Sequence, residues 1–222
     1  MRDMFSGIAG AYDLLNHVLS GGCDVLWRRR AVRRLPARPR ARALDLCGGT
    51  GDFARALLSA GRAHSVVIAD FALPMLARAR RKLPHASVSF HAVDAHFLPY
   101  ADQCFDAVLC AFGLRNVADL PRALAEVRRV LAPGGELLVL EFMGARRGPC
   151  YCLFSLYFQY VLPLVGRIIS GNRDAYLYLP ESVRRFHSRR DFSELLAQSG
   201  LRVTLQRDLQ LGISTITLAE KA

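Results

Sequence analysis

The sequence predicts an α/β fold: a doubly wound, mostly parallel sheet that ends in an antiparallel hairpin. Three observations predict it. Strand-like and helix-like segments alternate four times between residues 43 and 142. The strand segments are continuous apolar runs, as expected where helices cover both faces of a sheet. The last two strand segments, 201–209 and 211–218, are joined almost directly, which permits only an antiparallel pair.

The elements follow in order. Residues 12–19 carry apolar residues at helical spacing and stop at Gly21-Gly22. A second helix is expected over 24–35, with Asp24 as its N-cap and Pro36 and Pro39 as its stop. The run 43–47 is a buried strand closed by Gly48-Gly49-Thr50-Gly51-Asp52, and a helix follows over 52–60. Strand 65–70 is rich in β-branched residues. Pro74 opens a helix that runs to Lys82. Strands 88–93 and 105–112 come next, then a helix capped by Asp119 with Pro121 in its first turn, ending at Leu131. Pro133-Gly134-Gly135 reads as a turn before strand 136–142. An aromatic, mostly helical insertion begins at Tyr151, and an amphipathic helix spans 190–198. The expected organisation is one domain over 1–222, with N-terminal helices in 1–41 and an insertion at 149–189 forming a substrate cover.

Composition narrows the class. Hydrophobic residues make up 52% and charged residues 22% of the 222, which excludes a disordered chain. No run of about 20 uninterrupted apolar residues occurs, so no transmembrane helix is expected. The N-terminus does not read as a signal peptide, so the expected compartment is the cytoplasm and the six cysteines are expected to be free. Cys47, Cys104 and Cys110 read as small buried hydrophobes. The net charge is +11, from 30 basic and 19 acidic residues, and only Lys82 and Lys221 are lysines. Such a balance suits nucleic acid, an anionic membrane surface or an acidic substrate, and equally a solvated arginine-rich face. The six histidines are scattered along the chain, and no metal site is expected.

The chemistry centres on the loop 45–52. Its glycines let backbone approach a ligand, and the following helix offers free N–H donors. Gly49-x-Gly51-x-x-Ala54 fits the dinucleotide fingerprint with alanine third, a weak signal alone. Asp70 ends the second strand, 19 residues after Gly51, where a carboxylate accepts hydrogen bonds from a ribose diol. That spacing suits NAD and S-adenosylmethionine alike. Two features favour the sulfonium cofactor. Asp45 lies inside the first strand, repulsive beside a pyrophosphate but favourable beside a cationic methionyl end. Asp94-Ala95 ends the third strand, where an adenine amino group could donate. Short acids also cap loops, but acids at successive strand ends lie where open α/β sheets bind ligands. At the end of the fourth strand, Arg115 could stabilise an oxyanion and Asn116 orient it. The same residues also allow a structural reading, in which Arg115 pairs with a surface acid and Asn116 shapes a turn.

Longer blocks make the chain resemble the C-methyltransferases of ubiquinone and menaquinone biosynthesis, over nearly its whole length. They are Phe5-Ser6-x-Ile8-Ala9, Tyr12-Asp13-x-Leu15-Asn16, Leu19-Ser20-x-Gly22 and Trp27-Arg28 at the N-terminus. In the core they are the loop 45–52, Phe112-Gly113-Leu114-Arg115-Asn116, Pro133-Gly134-Gly135 and Glu141-Phe142. Leu162-Pro163-Leu164-x-Gly166 and Tyr176-x-Tyr178-Leu179-Pro180-Glu181-Ser182 complete the set. The glycine loop is generic for class I methyltransferases, whereas the N-terminal, Phe-Gly-Leu-Arg-Asn and Tyr-Leu-Pro-Glu-Ser blocks are specific to the family. Met143, Cys23 and the hairpin around Gly212 depart from the family pattern.

The resemblance implies a class I S-adenosylmethionine-dependent methyltransferase fold and methyl transfer to a ring carbon of a polyprenylated quinol. Demethylmenaquinol is the expected substrate, and a methoxy-polyprenyl-benzoquinol the alternative. It also implies cofactor contacts from Thr50, Asp70, Asp94 and Ala95, beside Asp45, Gly49 and Gly51 of the loop. Tyr12, Tyr176, Tyr178, Arg115 and Asn116 are implied near the substrate. A water positioned by Arg115 and Asn116 is the expected proton acceptor, since a guanidinium is too weak an acid to serve as a base. The other classes considered are an NAD(P)-dependent reductase and an RNA methyltransferase; no nucleic-acid partner is expected. The apolar run 151–162 reads either as a buried cover or as a wall for a prenyl tail at the membrane surface. Eight arginines between positions 28 and 42 could meet anionic headgroups there or form a solvated face. The oligomeric state is left open, a homodimer included.

Overall fold

The computed structural model describes residue 17 and residues 20–36, 40–144 and 174–222. The expected helix 12–19, Tyr12, Cys150, Cys152 and most of the insertion 149–189 lie outside the described residues. So do the side chains of Tyr176 and Tyr178.

The described elements are α1 (Cys23–Val32), β1 (Arg40–Leu46), α2 (Asp52–Ser59), β2 (Ala63–Asp70), α3 (Leu73–Lys82), β3 (Val88–Ala92) and β4 (Phe105–Ala111). They continue with α4 (Leu120–Val130), β5 (Leu131–Glu141), α5 (Asp174–Arg185), α6 (Arg189–Gln198), β6 (Leu201–Leu209) and β7 (Ser214–Lys221). The seven strands form one sheet in the order β3-β2-β1-β4-β5-β7-β6. β1 to β5 pair in parallel, and β7 enters antiparallel between β5 and β6. The expected fold class is therefore the observed one.

Alternation along the strands explains the two cores. Val66 and Ile68 of β2 face the layer of α1, α2 and α3, where Trp27, Phe53, Leu57 and Leu76 are buried. Val67 and Ala69 face the opposite layer, with Leu124 and Val127 of α4 and Phe192 and Leu196 of α6. Both faces are apolar because both are covered, which is why these strands read as unbroken hydrophobic runs.

Several boundaries differ from expectation. α1 starts one residue early because Gly22, at φ 77°, turns the chain into the helix. Asp24 is thus not the N-cap but lies in the first turn, where its carboxylate accepts from Arg28 Nη1 at 2.8 Å, one helical turn on. β5 begins at Leu131 instead of 136, and the expected turn at 133–135 is absorbed by a register shift against β4 between Phe105 and Ala107. β7 begins at Ser214, because residues Gln210–Gly212 form a 3₁₀ turn. The expected cap on α4 is present: the Asp119 carboxylate accepts from the Arg122 N–H at 3.0 Å.

Candidate active site

The C-terminal ends of β1, β2 and β4 open into a cavity of about 270 Å³, whose walls include Cys47, Gly49, Asp70, Asp94, Phe112 and Asn116. This is the position where open α/β sheets take their ligands. Strand order creates it: β1 pairs with β2 on one side and β4 on the other, so three consecutive strand ends converge.

The glycine loop is held from several sides. Gly49, at φ 54°, points its N–H at Asp70 Oδ2, 2.9 Å away. The other carboxylate oxygen of Asp70 accepts from the Ala72 N–H at 2.8 Å. Burial raises the Asp70 pKa, and the N–H groups of Ala72, Gly49 and Phe71 oppose that rise. A carboxylate offers about four acceptor positions, so these bonds leave capacity for a ligand diol. Gly51 is required by its surroundings: at φ 82°, an added Cβ would lie 2.9 Å from both Ile68 Cδ1 and Leu83 Cδ1. Behind the loop, Lys82 of α3 donates to the Thr50 hydroxyl at 3.1 Å and pairs with Asp52 at 2.7 Å.

At the third strand end Asp94 is exposed, and its Oδ1 accepts from the backbone N–H of His96 at 2.9 Å. That bond, with the His96 ring, holds its pKa below the ordinary carboxylate value. Ala95 follows in the cavity wall.

Asp45, Thr50, Gly51 and Arg115, all expected to touch a ligand, are not among the cavity walls. Asp45 lies on the α1–α2 side of the sheet, fully buried, with Oδ2 accepting from the Ala54 N–H at 2.9 Å. Oδ1 has no hydrogen-bond partner among the described residues. Burial pushes the Asp45 pKa up to about 7, against the pull of the Ala54 N–H and Arg28. The reason for its position is strand periodicity: Asp45 shares a face with Ala43, turned from the cavity toward α2.

Arg115 is the second departure. Its Nη1 donates to Glu141 Oε1 at 2.7 Å and to the Phe112 carbonyl at 2.6 Å. Glu141 also accepts from the Arg115 and Phe142 N–H groups, at 3.4 and 2.9 Å. Arg115 therefore pairs with an acid, as the structural reading allowed, but with a fully buried one at the end of β5, not a surface acid. Burial raises the Glu141 pKa and Arg115 counters it. Asn116 does reach the cavity wall, its Nδ2 lying 3.5 Å from the Phe112 carbonyl oxygen.

Sequence reasoning missed an aromatic group at this edge. Trp27 lies 6.0 Å from the rings of both Phe112 and Phe142, and its indole N–H donates to Gln210 Oε1 at 2.7 Å. Arg28 sits over the Phe112 ring at 5.6 Å. The signal was present in the blocks Trp27-Arg28, Phe112 and Glu141-Phe142, but nothing in their spacing says that they meet. One smaller expectation is also corrected. Cys47 is part-exposed in the cavity wall instead of buried, because the chain leaves β1 there at φ 53°. His17, Asp24 and Asp52 bring ligand atoms within 4.8 Å of one another, with Arg28 already on Asp24 and Lys82 on Asp52.

The sheet order, the antiparallel last strand pair and a cavity lined by acids at successive strand ends define a class I methyltransferase fold. An S-adenosylmethionine-dependent methyltransferase of Thermotoga maritima shares it at TM-score 0.70, 21% identity and full coverage of both chains. The chain belongs to the ubiE/COQ5 methyltransferase family, whose model matches residues 1–221. It is 47% identical over 220 residues to the demethylmenaquinone methyltransferase of Thermus thermophilus, covering 98% of this chain and 100% of that one. It is 45% identical over 223 residues to the protein of the same name from Deinococcus radiodurans, covering 100% and 92%. The chain is therefore a methyltransferase, and the reductase reading of its glycine loop falls.

Proposed function

We propose that the chain methylates a ring carbon of a polyprenylated quinol, demethylmenaquinol, with S-adenosylmethionine as methyl donor. The observation that carries this reading is the Phe112–Asn116 block, specific to the family by resemblance, at the mouth of a cavity framed by Gly49, Asp70 and Asp94. The activity named for the Thermus and Deinococcus relatives supports it.

The residues fit the donor. Asp70 keeps acceptor capacity for a ribose diol, and exposed Asp94 with the Ala95 N–H suits an adenine edge. The open side of Gly49, where an added Cβ would meet nothing within 4 Å, leaves room for close approach. S-adenosylmethionine, when bound, supplies an electrophilic methyl group on a cationic sulfur. In this reading Asp45, Thr50 and Gly51 act through the loop they shape. Asn116 orients the ring hydroxyl whose loss of a proton activates the neighbouring carbon. Arg115, anchored by Glu141, positions Asn116 and Phe112 and lends positive potential to the developing phenolate. The proton leaves through solvent at the cavity mouth. In this reading Tyr12, Tyr176 and Tyr178 contribute to substrate binding, as the family resemblance implies. Among the described residues no helix is long and apolar enough to cross a membrane. We place the chain at the membrane face, where its substrate's tail resides.

The test is methyl transfer to reduced demethylmenaquinone, read as product mass, with a reduced methoxy-polyprenyl-benzoquinone in parallel. Methylation of the naphthoquinol alone is the expected result. Methylation of both would widen the reading to two pathways. Methylation of neither, with S-adenosylhomocysteine still bound, would overturn the substrate and leave the donor site standing.

A further inference from the structure

On the outer side of α1 and α2 lies a second cavity, of about 700 Å³, that shares no wall residue with the first. Five arginines line it: Arg28, Arg29 and Arg33 from α1 and its C-cap, Arg55 from α2, and Arg62 at the end of the connection to β2. Asp52 is the one acid among the wall residues, and it is already paired with Lys82 at 2.7 Å and Arg55 at 3.3 Å. Arg62 Nη1 is tied to the Pro36 carbonyl at 2.9 Å. Arg29 and Arg33 stand four residues apart on one helical face, a spacing at which like charges repel. Neither has an ion-pair partner among the described residues.

Arg28 shows that the wall is built, not merely exposed. It is 8% exposed, its Nη1 is bound to Asp24, and its Nε is buried without a hydrogen-bond partner. Guanidinium groups converging on a concavity recognise phosphate oxygens through paired N–H donors. The rim carries a second feature. Leu26 is 41% exposed on α1, three residues before Arg29 and seven before Arg33, and so on the same face. A large exposed aliphatic side chain beside a phosphate-shaped basic concavity matches the boundary between headgroup and acyl chain. An extended nucleic-acid backbone would call for a stripe of cations with aromatic platforms, and the wall residues include no aromatic.

We propose that this cavity seats the phosphate headgroup of an anionic membrane phospholipid, docking the enzyme on the bilayer. The proposal rests on the polyprenylated-substrate reading, which brings the chain to that surface. Arg28 links the two places without lining both: it is a wall residue of this cavity, and its guanidinium lies over the ring of Phe112, a wall residue of the first.

The test is co-sedimentation of the full chain with phosphatidylcholine vesicles, with and without phosphatidylglycerol. Two variants are compared: Arg29→Gln/Arg33→Gln in the cavity wall, and Arg30→Gln/Arg34→Gln, which removes the same charge from exposed residues outside it. The wild type should bind only the anionic vesicles. The wall pair should lose partition by roughly twenty-five-fold, about fivefold for each arginine. The second pair should stay within about twofold of wild type. Equal losses in both pairs would mean diffuse attraction and overturn the site. Stabilisation of the wild type, but not of the wall pair, by inorganic pyrophosphate without any vesicle binding would overturn the lipid as its source. Tight binding of single-stranded RNA that the wall pair loses, again without vesicle binding, would overturn it in favour of nucleic acid. Methylation of detergent-solubilised demethylmenaquinol should be unchanged in the wall pair. Failure of the wild type in that assay would sink the substrate reading while vesicle partition is scored separately.

Discussion

The Arg115–Glu141 pair offers the sharpest test of how this site is held. Arg115 has 8% side-chain exposure and Glu141 none, and their oxygen–nitrogen separation is 2.7 Å. Glu141→Gln keeps the shape and removes the charge, leaving a buried guanidinium without its counter-ion. Breaking a buried pair from one side costs about 3–5 kcal/mol, because the remaining charge is desolvated and uncompensated. In a chain of this size each kcal/mol moves the melting temperature by roughly 2–4 °C. The expected fall is therefore on the order of 6–20 °C. The assay is thermal unfolding of Glu141→Gln, Arg115→Met and the double variant, compared as a cycle. The double variant should be less damaged than the sum of the singles, by at least about 1 kcal/mol. Additive losses, or single losses under about 1 kcal/mol, would refute the claim that the pair anchors the Phe112–Asn116 turn. Catalysis should respond differently from donor binding: kcat falls in Glu141→Gln while affinity for S-adenosylhomocysteine holds, since neither residue lines the cavity.

Four further outcomes are expected. Asp45 keeps its proton in the folded chain up to about 7, above its ordinary 3.8, so the fold binds a proton that the unfolded chain has already lost. That contribution is fully present below about pH 4 and disappears as pH rises through 7; Asp45→Asn should flatten urea-derived stability between about pH 4 and pH 7, and an unchanged slope would exclude Asp45 as its source. Asp70→Ala removes the acceptor for the Gly49 and Ala72 N–H groups and should weaken S-adenosylhomocysteine binding about tenfold or more by calorimetry. Gly113→Ala would put a Cβ 2.5 Å from Cys47 Cβ and 2.9 Å from Cys110 Sγ, an overpacking cost of about 1–3 kcal/mol in chemical denaturation. Trp27 is the chain's one tryptophan and lies against Phe112 of the cavity wall, so its emission should shift when S-adenosylhomocysteine binds; a silent titration with binding seen by calorimetry would argue that the wall does not move.

The sequence by itself determined the elements and their class. The apolar run of β2, the Asp119 cap and the directly joined last strands are local signals, carried by spacing, side-chain periodicity and turn chemistry within a few residues. The acids at the ends of β2 and β3 were legible for the same reason: each follows an apolar run and precedes a loop. Tertiary structure alone decided what those residues face. Asp45 turned away from the cavity because one step along a strand reverses the side chain's direction. Arg115 found Glu141, 26 residues on, because β4 and β5 are neighbours in the sheet. Trp27 met Gln210 across 183 residues because α1 packs over the hairpin connection. The arginines of α1 became one wall of a cavity only when α2 brought Arg55 alongside. Such encounters depend on strand order and layer packing, which have no local code: they are fixed by burying both faces of the sheet at once.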